Sequence, residues 1–100
     1  MTVTKIELER ALEDRCVAKI EARGGLALKL VILGVRGFLD RTMVLPGRVI
    51  FWCEFKRRKV GIVSAQQAVW RRLLTLLGFG VYMIDSDEDF DRALEREMAR

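Results

Sequence analysis

Leu39-Asp40-Arg41-Thr42-Met43-Val44-Leu45-Pro46-Gly47-Arg48-Val49-Ile50-Phe51-Trp52-Cys53-Glu54-Phe55-Lys56 is the stretch whose reading decides the fold. Two β-like runs flank the turn signal Pro46-Gly47, which spells two antiparallel strands over residues 39–45 and 48–56. Charge gathers where those strands meet again. Asp40 opens the first, and Glu54, fourteen residues later, nears the end of the second with Lys56 two positions on. Side chains alternate along a strand, so Glu54 and Lys56 share a face. Phe55 points to the other face, while its carbonyl stays near the Glu54 carboxylate. Two carboxylates and a lysine from neighbouring strand ends are the minimum equipment for holding a hard divalent cation against a phosphodiester. Such oxygen donors suit Mg²⁺ or Mn²⁺ rather than zinc. Each residue also has a plainer reading: Asp40 as a turn residue, Glu54 and Lys56 as an ion pair.

Outward from the hairpin, the pattern alternates helix and strand. Thr4-Lys5-Ile6-Glu7 has the form of a capping box and opens a first helix to about residue 23, where Gly24-Gly25 ends it. Leu8, Leu12, Cys16 and Ile20 form its stripe. Residues 27–33 read as a strand and residues 34–37 as a glycine-bounded loop. After the hairpin, residues 57–63 read as a basic connection around Gly61. Ser64-Ala65-Gln66-Gln67 caps a second helix with Trp70, Leu73, Leu74 and Leu77 as its apolar side. Gly78 ends it, residues 79–84 are a fourth strand, and Asp85 to Asp89 start an acid-rich last helix with Phe90, Leu94 and Met98 turned inward. The order is αβββαβα, an α/β domain of two or three layers around a mixed four-stranded sheet.

One hundred residues suffice for one core, so residues 1–100 are expected to be a single domain. No apolar stretch approaches the roughly 18 residues of a spanning helix, and the start lacks a signal peptide's apolar centre. A soluble, intracellular protein with no membrane contact is the expectation. With no histidine and only Cys16 and Cys53, the usual zinc sites and any Ser-His or Cys-His pair are excluded within one chain. Both cysteines sit in apolar segments and are expected as buried thiols, Cys53 for packing only. Any hydrolysis must then rest on carboxylates, lysine or cation-activated water.

The net charge of +4 hides an asymmetry. Residues 41–80 carry Arg41, Arg48, Lys56, Arg57, Arg58, Lys59, Arg71 and Arg72 against the single acid Glu54, whereas residues 81–100 carry seven acids against three arginines. The basic middle surrounds the carboxylate–lysine group, where an anionic polymer would have to lie. Glu13 is the oddest residue of the first helix. It falls within the apolar arc between Val17 and Ile20, where a carboxylate is costly unless paired, for instance with Lys29, or holding a metal. Gln67 has two readings, the capping-box partner of Ser64 or a donor to a phosphate or water at a helix start. Trp70 reads as core.

Taken in order, Glu13, Gly24 to Lys29, Arg36 to Arg41, Leu45 to Val49, Glu54-Phe55-Lys56, Ser64 to Gln67 and Leu77-Gly78-Phe79 resemble the virus-type replication-repair nuclease (VRR-NUC) domain. That family is a branch of the PD-(D/E)xK nuclease superfamily. The match runs over nearly the whole chain, with one departure: Leu39 stands where the family usually has proline before the aspartate.

The resemblance implies a restriction-endonuclease-like fold and Mg²⁺- or Mn²⁺-dependent cleavage of DNA. It implies Asp40, Glu54 and the Phe55 carbonyl as metal ligands, with Glu13 on a second cation or its water. Lys56 would orient the attacking water or stabilise the phosphate, and Gln67 would support that geometry. Arg57, Arg58, Lys59, Arg71 and Arg72 are candidates for phosphate contacts. Small stand-alone members resemble resolvases, which implies a homodimer cutting branched DNA such as four-way junctions, and a phage-encoded protein of the bacterial cytosol. Two other readings fit the residues: a non-catalytic DNA-binding module on the same fold, and a structural partner whose basic stripe docks an acidic chain.

Overall fold

The computed structural model describes residues 4–55 and 65–100. Its elements are α1 (Lys5–Ala22), β1 (Leu26–Leu28), β2 (Arg41–Leu45), β3 (Val49–Phe55), α2 (Ala65–Leu76), β4 (Gly80–Ile84) and α3 (Asp87–Met98). The order αβββαβα and the mixed four-stranded sheet are as the sequence predicts. The strands stand in the order β1-β2-β3-β4, with β1–β2 and β2–β3 antiparallel and β3–β4 parallel. A parallel neighbour needs a crossover, and α2 lies on it.

The hairpin is shorter at both ends than the apolar runs suggest, for two physical reasons. Leu45 pairs with Val49, so Pro46, Gly47 and Arg48 form the loop. Gly47 and Arg48 both take left-handed backbone, φ 85° and 64°, which removes Arg48 from the strand. At the other end the Asp40 amide donates to the Glu54 side chain, and the ladder begins only at Arg41. Strand β1 is short as well: Leu28 pairs with Thr42, and residues 29–33, expected as strand, are not part of it.

Alternation sorts the sheet's two faces. Met43, Leu45, Phe51, Cys53 and Phe55 join Leu12, Cys16 and Ile20 of α1 and Phe90, Ala93 and Leu94 of α3 in one buried cluster. Burying a residue of this size contributes about 1.5–3 kcal/mol, which holds α1 and α3 on that face. Both cysteines are free and buried, and burial pushes the Cys16 thiol up to about 12 and the Cys53 thiol well above its ordinary value. Thr4 caps α1 as expected, accepting from the Glu7 amide, and Ser86 caps α3.

Four stripe residues depart from expectation. Leu8 and Met98, near the outer ends of α1 and α3, are exposed, and so are Leu73 and Leu77 of the α2 stripe. Residues 57–63 and Ser64 lie outside the described residues. Among the described residues, no helix is long and apolar enough to cross a membrane.

Gly25 is a point of close approach. A Cβ there would stand 2.6 Å from the Val44 carbonyl oxygen and 2.9 Å from an Ile20 methyl. Gly25→Ala should therefore cost about 1–3 kcal/mol in urea unfolding. Helices α1 and α3 are also tied by Arg15 to Asp87 (2.9 Å) and Lys19 to Asp91 (2.8 Å). The hydrogen bond from Arg15, then that from Lys19, holds the Asp87 carboxyl below its ordinary range. A lowered folded pKa contributes stability above the unfolded carboxylate range, lost as pH falls through the folded value. Asp87→Asn should thus give a small, salt-sensitive loss of stability at neutral pH, and the gap to wild type should close on acidification.

Candidate functional site

Where β2 begins and β3 ends, two side chains cross. The Asp40 amide donates to Glu54 Oε1 at 2.6 Å, and the Phe55 amide donates to Asp40 Oδ2 at 2.9 Å. Each carboxylate therefore accepts from the backbone of the other's strand, and charge-assisted bonds of this kind fix orientation strongly. Glu54 is 1% exposed and Asp40 half-buried. Glu54 alternates with Cys53 and Phe55, so it projects to the face away from α1 and α3.

Two carboxylates held together with so little solvent need compensating positive charge or hydrogen-bond donors. Lys56, the nearest such residue in sequence, lies outside the described residues, as do Arg57, Arg58 and Lys59. The donor set at this point is all oxygen: two carboxylates and, one peptide beyond Glu54, the Phe55 carbonyl. Cys53 faces the core cluster instead. By that chemistry the residues fit a hard divalent cation.

Glu13 occupies a separate ion network. Its carboxylate is bound by Arg41 Nε at 2.5 Å, with the Lys29 ammonium at 3.9 Å. Arg41 also donates through Nη1 to the Ala27 carbonyl at 3.0 Å, so one guanidinium joins α1, β1 and β2. Arg41 pairs with Cys53 in the hairpin register and so sits on the α1 side of the sheet. Asp40 and Glu54 are thus brought together, whereas Glu13 is held one residue along, on Arg41. Among the described residues no group of three His, Cys, Asp or Glu is gathered to hold a metal.

Gln67 is buried in the first turns of α2, and its side-chain amide reaches the Phe38 carbonyl at 3.5 Å. Trp70 stands edge-on to the Phe38 ring at 5.3 Å. Both contacts grip the loop that delivers Asp40. Arg71 and Arg72 are exposed on the same helix.

Two functional-looking contacts escaped the sequence. The sequence marks Arg41 as part of a basic run and of the Arg36 to Arg41 match, without a partner, although its place two residues before the buried Met43 puts it on the α1 face. Nothing in the sequence singles out Glu97 among the acids of the last helix. It is 4% exposed and accepts a hydrogen bond from the Tyr82 hydroxyl, with Arg100 at 3.5 Å. Burial, then that hydrogen bond, pushes the Tyr82 phenol up to about 12. Tyr82 is the middle residue of β4, and the Glu97 carboxylate lies over Gly80, at the end of β4 away from Ile84 and Phe55, where it serves to pin α3 to the sheet.

No protein-family model matches the chain, and no curated protein matches it. Among solved structures, one described as a VRR_NUC domain superposes with a TM-score of 0.78 at 27% identity. The overlay covers 93% of this chain and 97% of that one.

The Glu13–Arg41 pair has a measurable energetic signature. Both side chains are 17% exposed, so removing either partner leaves a poorly solvated charge. Arg41→Gln and Glu13→Gln should each cost about 1–3 kcal/mol, with the double variant costing less than their sum. A double-mutant cycle by urea unfolding checks this.

Proposed function

From its likeness to a VRR_NUC domain over nearly the full length of both chains, we propose that this chain is a VRR-NUC nuclease of the PD-(D/E)xK type, a Mg²⁺- or Mn²⁺-dependent DNA endonuclease that acts as a homodimer on branched DNA such as four-way junctions. The observation that carries the reading is the crossed pair of hydrogen bonds between Asp40, Glu54 and each other's strand. It orients two carboxylates before any ligand arrives, and preorganised charge costs no rearrangement during reaction.

Asp40 and Glu54, with the Phe55 carbonyl, are the residues that would hold the cation. When bound, such a cation supplies Lewis-acid stabilisation of phosphoryl charge and an acidified water. The chain's own groups do the rest. Lys56 orients the attacking water or faces the scissile phosphate. Gln67 keeps the Phe38 loop, and with it Asp40, in place. Glu13 takes part only if it leaves Arg41, which makes it an auxiliary rather than a primary ligand. Arg57, Arg58, Lys59, Arg71 and Arg72 contact phosphates, which makes binding salt-dependent and largely indifferent to sequence. Two such sites related by a two-fold axis match two symmetric strands of a junction. A phage-encoded protein working in the bacterial cytosol fits this activity.

A second reading, a DNA-binding module without cleavage, is favoured by one observation: Glu13 is bound to Arg41 instead of standing with Asp40 and Glu54.

The test is cleavage of a panel of branched and linear DNAs with Mg²⁺, with Mn²⁺ and with neither. Cation-dependent cutting is expected. Asp40→Ala and Glu54→Ala should lower it by about 100-fold or more while DNA binding survives. A wild-type protein that binds these DNAs and cuts none in either cation is the non-catalytic module.

A further inference from the structure

The most apolar continuous segment of the chain is also among the least covered. Residues 26–33 read Leu-Ala-Leu-Lys-Leu-Val-Ile-Leu. Leu26 is 58% exposed, Leu28 36%, Leu30 39%, Val31 95% and Leu33 100%. Their first three residues are β1, the outermost strand, which pairs with β2 on one side and with no described strand on the other. Aliphatic side chains in water beside unpaired backbone form a ready template for another strand.

We propose that residues 26–33 are the surface on which a second copy of this chain docks, the two edges running antiparallel about a two-fold axis. This gives a face to the pairing in the proposed function and rests on that part of it alone, not on the nuclease chemistry.

Three observations commit the surface to a second copy. The segment is self-complementary, because its exposed chemistry is aliphatic and peptide, and a two-fold axis sets like against like. Its only charge, Lys29, has its ammonium 3.9 Å from Glu13 of its own chain, so the one group that would repel its counterpart is already engaged. Size is the third. If these residues were fully covered, their exposed surface would bury about 600 Å² per copy and about 1,200 Å² for a pair, the lower end of specific interfaces.

The other apolar patch, Val69, Leu73, Leu76, Leu77 and Phe79, fits a second copy less well. Helix α2 offers no unpaired edge, and it carries exposed Arg71 and Arg72 with no acid of its own. A two-fold contact there would oppose like charges. DNA is a poor occupant of residues 26–33, whose surface offers one already engaged cation to phosphates.

Sedimentation equilibrium of the full chain without DNA or divalent cation tests the inference and stays independent of nuclease activity. The wild type should sediment as a dimer. Val31→Glu with Leu33→Glu should weaken self-association by about a hundredfold or more, because the carboxylates would be buried against their copies. Both positions are solvent-facing, so far-UV circular dichroism should match wild type, and the thermal midpoint should match at protein concentrations low enough for the wild type itself to be monomeric. Leu76→Glu with Leu77→Glu should leave the dimer intact. Amide exchange over residues 29–33 should slow as protein concentration rises. A monomeric wild type, a dimer dissociated by the α2 pair but not by the 31/33 pair, or a monomer that co-sediments with phospholipid vesicles through residues 26–33 would each overturn it.

Discussion

Two backbone amides determine how this sheet is cut and what it presents. A strand normally ends where its partner ends, with the last amides left to water. Here the amide before β2 and the last amide of β3 are each taken by a carboxylate from the opposite strand. Satisfying those donors with side chains terminates the ladder at a fixed residue, and it stations Asp40 and Glu54 side by side. Strand β1 stops one residue short of the start of β2, with Leu28 opposite Thr42. Packing alone would have allowed the hairpin to run on, since its apolar runs do.

The two faces of the sheet have been given different work. One is sealed by α1 and α3 around Phe51, Phe90 and Ile20, all without solvent exposure. That face supplies cohesion. The other carries Thr42, Trp52 and Glu54, and its helix α2 has several exposed leucines and a buried Gln67. In a domain this small the hydrophobic core leaves a narrow margin of stability. Concentrating the core on one side frees the other to hold a charged group and to meet ligands. Glu54 is affordable because the opposite face does not depend on it.

Much of this was legible in the sequence, and the exceptions have physical reasons. The Thr4 cap, the Pro46-Gly47 turn and, Leu8 apart, the first-helix stripe of Leu12, Cys16 and Ile20 are local signals, set by residues a few positions apart, and stand as read. Asp40 and Glu54 were legible because strand alternation and a tight loop fix their spacing. Element ends were not, since they depend on which distant group claims an amide: Glu54 takes the Asp40 amide and delays the start of β2, and a left-handed Arg48 delays β3. Glu13 shows the same limit. Helical periodicity places it on the inner arc correctly, but its partner, 28 positions along the chain, is chosen by the fold. The helix of Leu73 and Leu77 shows another, because a stripe of leucines signals an apolar face without saying whether the chain itself covers it.

Arg41 links the two features that matter most for function. It follows Asp40 directly, its guanidinium grips Glu13, and its other arm holds the Ala27 carbonyl of the edge strand. Lys29, at the end of that strand, reaches the same Glu13 carboxylate. The position of Glu13 is therefore set by the same guanidinium that holds the Ala27 carbonyl, so the edge strand, the α1 carboxylate and the residue after Asp40 belong to one ion network spanning three elements. Because that guanidinium is shared between strand backbone and helix carboxylate, neither contact can be lost without loosening the hold on the other.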